Sequence, residues 1–303
     1  MKRFIAGIAV FMSIVAVLLF GLIICTFLIV SKASFAMPKD RHIVVIGNSH
    51  TECAIDDSIF IRSVNFSQRG VSPYLLTYVK LKKILEENVH VNTVLLSFDR
   101  VKITAEELSD NDIRNFLHTY FFMMAHEEYA LLLKRPITWK ALLIIPAKNI
   151  ETIVRFVIKG RISYRDLNIG KYRKLDRDKL EQAIELAEAT IENRINTNSD
   201  ESSGSSFYPP SYLQKIIGLC KEKNVELILF NSPTYRPDRY GNKEQLMDYY
   251  NTYLRGTRYM DFSAFPLPEY GYGDIGHLNY KGAEIFSRYL RDNYGELFTP
   301  APR

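Results

Sequence analysis

Ile5 to Val30 is one uninterrupted, uncharged and mostly apolar run of 26 residues, and it constrains the rest of the chain more than any other feature. A helix rises about 1.5 Å per residue, so such a run crosses a hydrocarbon core of about 30 Å with some tilt. Lys2 and Arg3 precede it. By the positive-inside rule they hold that end in the cytoplasm and leave the body of the protein extracytoplasmic, periplasmic or at the cell surface. A cleaved signal peptide has a shorter apolar stretch, about 7–15 residues, and then a small-x-small site. Ser34 and Ala36 offer such a site, but the length of the run favours a retained single-pass anchor. Cys25 does not read as a lipidation site, because Leu22-Ile23-Ile24 before it lacks small residues and the apolar run continues past it.

The expected organisation is a cytoplasmic tip and transmembrane anchor over 1–30, a linker over 31–40 where Pro38 disfavours a continuing helix, and a domain over 41–303. With 19 Tyr and 18 Phe the domain has the means to build a core. Net charge is +5 and Lys2 and Arg3 supply two of those charges. No basic run with interleaved aromatics occurs, which argues against nucleic acid as a partner. Cys53 and Cys220 lack any CxxC context and read as buried thiols, with a disulfide between them in an oxidising compartment as the alternative. The few histidines show no metal-ligand spacing, so neither a metal nor an organic cofactor is implied.

Ile43 to Ile46 is short, β-branched and wholly apolar, as a strand buried on both faces should be. Similar runs are Val91 to Phe98 and Val225 to Phe230, with a weaker one ending at Asp261. Helical patterns lie between them, at Tyr74 to Glu87, Tyr212 to Lys223, Lys243 to Leu254 and Lys281 to Tyr294. This alternation predicts an α/β fold with a parallel sheet covered on both faces. The region of about 102–206 breaks the rhythm and reads as a helical insertion. Within it, Asp176 to Ile195 places Leu180, Ile184, Ala187, Ile191 and Ile195 on one stripe. Asn196 to Ser206 is a polar loop, and the Lys and Arg of the insertion read as a solvated face.

The first strand runs into Gly47-Asn48-Ser49-His50. A serine at the carboxyl end of a parallel strand stands where α/β sheets bind ligands. Alone, Ser49 would more readily be read as a helix N-cap. A serine nucleophile needs a base, and Gly273-Asp274-Ile275-Gly276-His277-Leu278-Asn279 supplies one. A spacing of three lets the Asp274 carboxylate hold one imidazole nitrogen of His277 while the other faces Ser49. Asp261 is a less suitably spaced acid. His50 is either a pocket residue or part of the turn. Asn231, after the third strand, either contacts substrate or belongs to a plain turn. His118 and His126 read as structural.

Gly47-Asn48-Ser49-His50 resembles the first block of SGNH (GDSL-like) hydrolases, and Asp274-Ile275-Gly276-His277-Leu278-Asn279 with Gly282 resembles their last. Gly70 matches the second-block glycine. The chain looks most like the tethered envelope branch, which includes the D-alanine transfer protein and alginate acetylation proteins. The resemblance covers about 31–100 and 207–295, not the insertion. It implies a three-layer flavodoxin-like parallel sheet, a triad of Ser49, Asp274 and His277, and an oxyanion hole from the N–H groups of Ser49 and Gly70. The third block departs: Ser97-Phe98-Asp99-Arg100 stands where the family carries an asparagine oxyanion donor, and an ionised Asp99 there would repel an oxyanion. Asn48 also replaces the usual aspartate.

The implied activity is an extracytoplasmic serine esterase or O-acyltransferase acting on acyl esters of a cell-envelope or exported polysaccharide. Its partners would be the membrane, an acylated glycan or acyl donor, and a membrane acyltransferase that meets the insertion. The alternative is a catalytically weak or inactive SGNH-like protein that binds polysaccharide or assists assembly.

Overall fold

The computed structural model describes residues 1–71, 73–99, 108–176, 179–196, 211–237 and 243–295. The chain divides into two compact units. A helical unit comprises Met1–Ala36 and Leu108–Asn168, and a sheet unit comprises Met37–Glu107 and Ile169–Arg303. Residues 169–196, read from the sequence as part of the insertion, therefore group with the sheet. Residues 102–107 and the polar run 197–206 lie outside the described residues.

The sheet unit is built on five parallel strands: β1 (Ile43–Ile46), β2 (Ser63–Asn65), β3 (Thr93–Ser97), β4 (Glu226–Asn231) and β5 (Arg258–Asp261), in the order β2-β1-β3-β4-β5. This is a doubly wound order, and it reverses beside β1. In register, Val44 faces Val64 on one side and Val94 on the other, and Leu95 faces Ile228. Every residue of β1, β2 and β3 is buried, which explains the apolar run of β1 and of Val94 to Leu96 in β3. β5 is an edge strand with exposed ends, which is why its sequence signal is weak.

Parallel strands need long crossovers, and helices supply them. α2 (Ser49–Ala54) and α3 (Tyr74–Glu87) follow β1 and β2. After β3 the chain passes through the helical unit, with α4 (Asp110–Tyr120), α5 (His126–Leu133), α6 (Pro136–Lys148) and α7 (Ile150–Lys159). It returns through α8 (Leu180–Asn196) and α9 (Ser211–Glu222), and α10 (Lys243–Tyr253) and α11 (Tyr280–Tyr294) complete the sheet unit. The start of α8 belongs to the core, where Leu180 packs with Phe230, Phe262, Leu278 and Phe286. On α11 the positions Ala283, Phe286 and Leu290 form a buried helical stripe. Phe286 stacks with Phe230, Phe262 and Phe265. Cys53 and Cys220 are buried on α2 and α9, and burial pushes the Cys220 thiol up to about 12.

In the helical unit, α1 (Lys2–Val30) is long and apolar enough to cross a membrane. The helix is exposed over most of its length, and only its last third has a covered stripe, formed by Leu19, Ile23, Thr26, Phe27 and Val30. This stripe packs on α6 and α7, and the Phe27 ring meets Phe121 and Phe122.

Candidate active site

β1 ends at Ile46, and Gly47 carries the chain over the end of β3. A Cβ on Gly47 would lie 2.2 Å from Cβ of Ser97, so only glycine fits this crossing. Asn48 then caps α2, its Oδ1 accepting from the His50 N–H at 3.1 Å. The cap is thus Asn48 and not Ser49, which leaves the Ser49 hydroxyl uncommitted to capping.

The second half of the site is a tight loop between β5 and α11. Asp274 Oδ1 accepts three hydrogen bonds, from the N–H groups of Gly276 and His277 and from His277 Nδ1, at 2.9, 2.9 and 2.8 Å. The Gly273 N–H donates to the His277 carbonyl at 2.8 Å and closes the loop. Asn279 anchors its far side. Its Oδ1 caps α11 at the N–H groups of Lys281 and Gly282, and its Nδ2 donates to the carbonyls of Tyr270 and Tyr272. A Cβ on Gly282 would sit 2.1 Å from the Gly271 carbonyl oxygen, so this glycine lets the helix start press against the loop.

His277 Nε2 lies 2.8 Å from Ser49 Oγ. An ionised carboxylate only accepts, so Nδ1 of His277 is the donor to Asp274, and Nε2 of the neutral ring accepts the Ser49 hydroxyl proton. The three side chains form one hydrogen-bonded relay at half-buried positions. Asp261 is not part of it. Its Oδ1 accepts from Asn231 Nδ2 at 3.3 Å and from the Ser263 N–H at 3.0 Å. That bond ties Asn231 to the β5 edge, and it is Ser232 that reaches α2, 3.2 Å from Thr51 Oγ1.

A second acid sits beside the relay. Asp99 Oδ2 accepts from Asn48 Nδ2 at 2.7 Å and from Ser97 Oγ at 3.2 Å, and lies 3.5 Å from His50 Nδ1. A carboxylate at position 48 would confront Asp99, whereas the amide donates to it. Asn48 and Asp99 are thus complementary to each other. The His50 ring stands edge-on to His277, with centroids 4.9 Å apart. Burial opposes the imidazolium of His50, but the hydrogen bond and charge of Asp99, with Asp274 adding, raise its pKa above the ordinary histidine value. The sequence marked Asp99 in the place of the third block; its bond to Asn48, and the reach of Ser232 to Thr51, were not legible there. The signal for Asp99 was its place just past β3, next to the switch point.

Gly70, with φ of +73°, lies in the loop after β2. The Gln68 N–H of that loop donates to the Gly47 carbonyl at 3.0 Å, and the Arg69 N–H to Glu52 of α2. The loop is therefore tied to the serine turn. A cavity of about 360 Å³ opens among the loops after β4 and β5, with Thr234, Arg236, Phe265 and Tyr272 in its wall. Ser49 and His277 do not line it. Among the described residues no cluster of His, Cys, Asp and Glu fits a metal ion.

A family model of uncharacterised proteins matches residues 171–299, which include the Asp274–His277 loop but not Ser49. No curated protein matches the chain.

Proposed function

We propose that the protein is a membrane-anchored serine esterase or O-acyltransferase of the SGNH type, with the three-layer flavodoxin-like fold of that superfamily. The observation that carries this reading is the unbroken Ser49–His277–Asp274 relay, with both side-chain bonds at 2.8 Å.

His277 takes the proton from Ser49 Oγ as the oxygen attacks an ester carbonyl. Asp274 keeps Nδ1 protonated and stabilises the imidazolium that forms. The N–H groups of Ser49 and Gly70 receive the oxyanion. The imidazolium returns its proton to the departing alcohol, leaving an acyl-serine. Water or a sugar hydroxyl, activated by the same imidazole, then releases the acyl group as an acid or a new ester. The anchor, with Lys2 and Arg3 on the cytoplasmic side, presents this chemistry outside the membrane, where acylated envelope or exported glycans are the natural substrate class.

A second reading, a weak or inactive glycan-binding or assembly protein, is favoured by the engagement of Asp99 with Asn48. Asp99 stands where the resemblance would put an asparagine oxyanion donor, and the loss of one such donor is worth about 10²–10³ in rate in a studied protease.

Labelling the protein with a fluorophosphonate and mapping the adduct separates the two. The catalytic reading expects a single adduct on Ser49 and none in Ser49→Ala, with activity falling by roughly 10⁴-fold or more. No adduct in folded protein whose site admits the probe favours the binding reading.

A further inference from the structure

The helical unit is apolar on the wrong side for a body in water. α6 leaves Trp139, Leu143 and Ile144 exposed, and α7 leaves Ile150, Val154, Val157 and Ile158 exposed. On α7 these four fall at i, i+4, i+7 and i+8, a single helical stripe. Val157 and Ile158 are 76% and 77% exposed and Trp139 is 57% exposed. The opposite side of α7 carries Thr152, buried, whose hydroxyl donates to the Asp166 carbonyl. Two consecutive helices with uncovered apolar stripes go beyond scattered surface leucines.

Charge follows the same segment. Residues 131–166 contain eight Lys and Arg (Lys134, Arg135, Lys140, Lys148, Arg155, Lys159, Arg161, Arg165) and two acids, Glu151 and Asp166, so the net charge is 8 − 2 = +6; Arg155 pairs with both acids, Lys159 with Asp166 and Arg135 with Asp110. An exposed apolar stripe with basic flanks and a tryptophan is the composition of a helix that lies in a bilayer interface.

The position of the two helices decides the occupant. α1 has 29 residues, about 43 Å at 1.5 Å per residue, against a hydrocarbon core of about 30 Å. Its covered stripe begins at Leu19, inside the apolar run, and it is α6 and α7 that cover it. With α1 spanning the membrane, a helix pair packed from Leu19 to Val30 cannot stand clear of the outer leaflet.

We infer that α6 and α7 form an in-plane docking platform, whose Trp139, Leu143, Val154, Val157 and Ile158 enter the outer leaflet while the flanking Lys and Arg meet anionic headgroups. This goes beyond the enzymatic reading and rests only on the part of it that takes α1 as a membrane span.

Trp139 is the only tryptophan in the chain, so its emission reports on the platform without a label. The full chain is reconstituted into vesicles of anionic and zwitterionic lipid, with bromine placed on the acyl chains near the headgroup or near the methyl end. The expected result is blue-shifted emission, strong quenching by bromine near the headgroup, little quenching by aqueous iodide, and weaker bromine quenching in purely zwitterionic vesicles. Val157→Asp with Ile158→Asp, at exposed positions, should reduce the bromine quenching. Emission quenched by iodide and untouched by bromine overturns the platform. Blue-shifted emission insensitive to both places a second copy or another protein on the stripe and also overturns it. Equal quenching in the two lipids overturns the headgroup assignment. Flotation after alkaline carbonate tests the span separately. A chain that resists carbonate but shows no bromine quenching keeps its anchor and loses its platform; the reverse result keeps the platform and loses the span.

Discussion

The two units both bury apolar residues and differ in what they leave outside. In the sheet unit, β1 is apolar and wholly buried, and the chemistry-bearing polar groups gather beyond the carboxyl ends of the strands. In the helical unit apolar residues such as Ile113, Leu117, Leu132 and Ile145 are buried too, with polar side chains among them. The Thr138 hydroxyl donates to the Leu132 carbonyl, Asn149 Nδ2 donates to the carbonyls of His118 and Ile145, and all three of Thr138, Asn149 and Thr152 are buried. Val157, Ile158 and Trp139 meanwhile face outward. The rule that apolar residues go inside assumes water outside. Where two helices packed on an apolar helix carry apolar residues on their outer side as well, the proposed platform accounts for them by a different surrounding for that part of the chain.

Four experiments probe this contrast. Phe286→Ala removes an aromatic at the centre of the sheet unit and should cost about 3–5 kcal/mol, read as a large fall in Tm; a loss under 1 kcal/mol would mean the sheet unit is not packed as described. Asn48→Asp sets two carboxylates against each other and should cost about 2 kcal/mol, with Asp99→Asn in the same chain restoring most of it, a coupling that a double-mutant cycle measures. No rescue would show that Asn48 and Asp99 do not act as a pair.

His118 tests the helical unit. Burial, with Lys148 adding to it, pushes this imidazole down to about 4, while the unfolded chain titrates near 6.5. The unfolded state therefore binds the proton first, and stability present above pH about 6.5 is lost as pH falls towards 4. His118→Gln should remove that loss, about 1–2 kcal/mol after discounting for partial exposure, seen as a flatter profile of Tm against pH. The smallest effect belongs to Val157→Ser, which should change stability in detergent by no more than about 0.5 kcal/mol. A fall as large as that of Phe286→Ala would mean the stripe is a core in its own right.

The central strands were legible because their middles, buried on both faces, are apolar runs. Ile43–Ile46, Val94 to Leu96 and Leu227 to Phe230 announce themselves, and α3 falls on Tyr74–Glu87 as the pattern indicates. β2 was not legible. Ser63-Val64-Asn65 is three residues long with polar ends, and only its pairing with β1 makes it a strand. The relay residues were legible as a spacing. What surrounds them was not, since the bonds from Asp99 to Asn48 and from Ser232 to Thr51 span 51 and 181 residues and leave no local pattern. In the insertion the Lys and Arg read as a solvated face, and the sequence alone did not say which solvent.

Asp274 and His277 are set against each other by a loop of their own, three residues apart, while Ser49 lies 228 residues away from its base. Time enters through that gap. At about 5–20 residues per second of synthesis, the serine is made on the order of 10–50 s before the histidine. A serine without its base is inert. On the proposed catalytic reading, Ser49 therefore stays without its base until His277 has been made and its loop has closed on the serine.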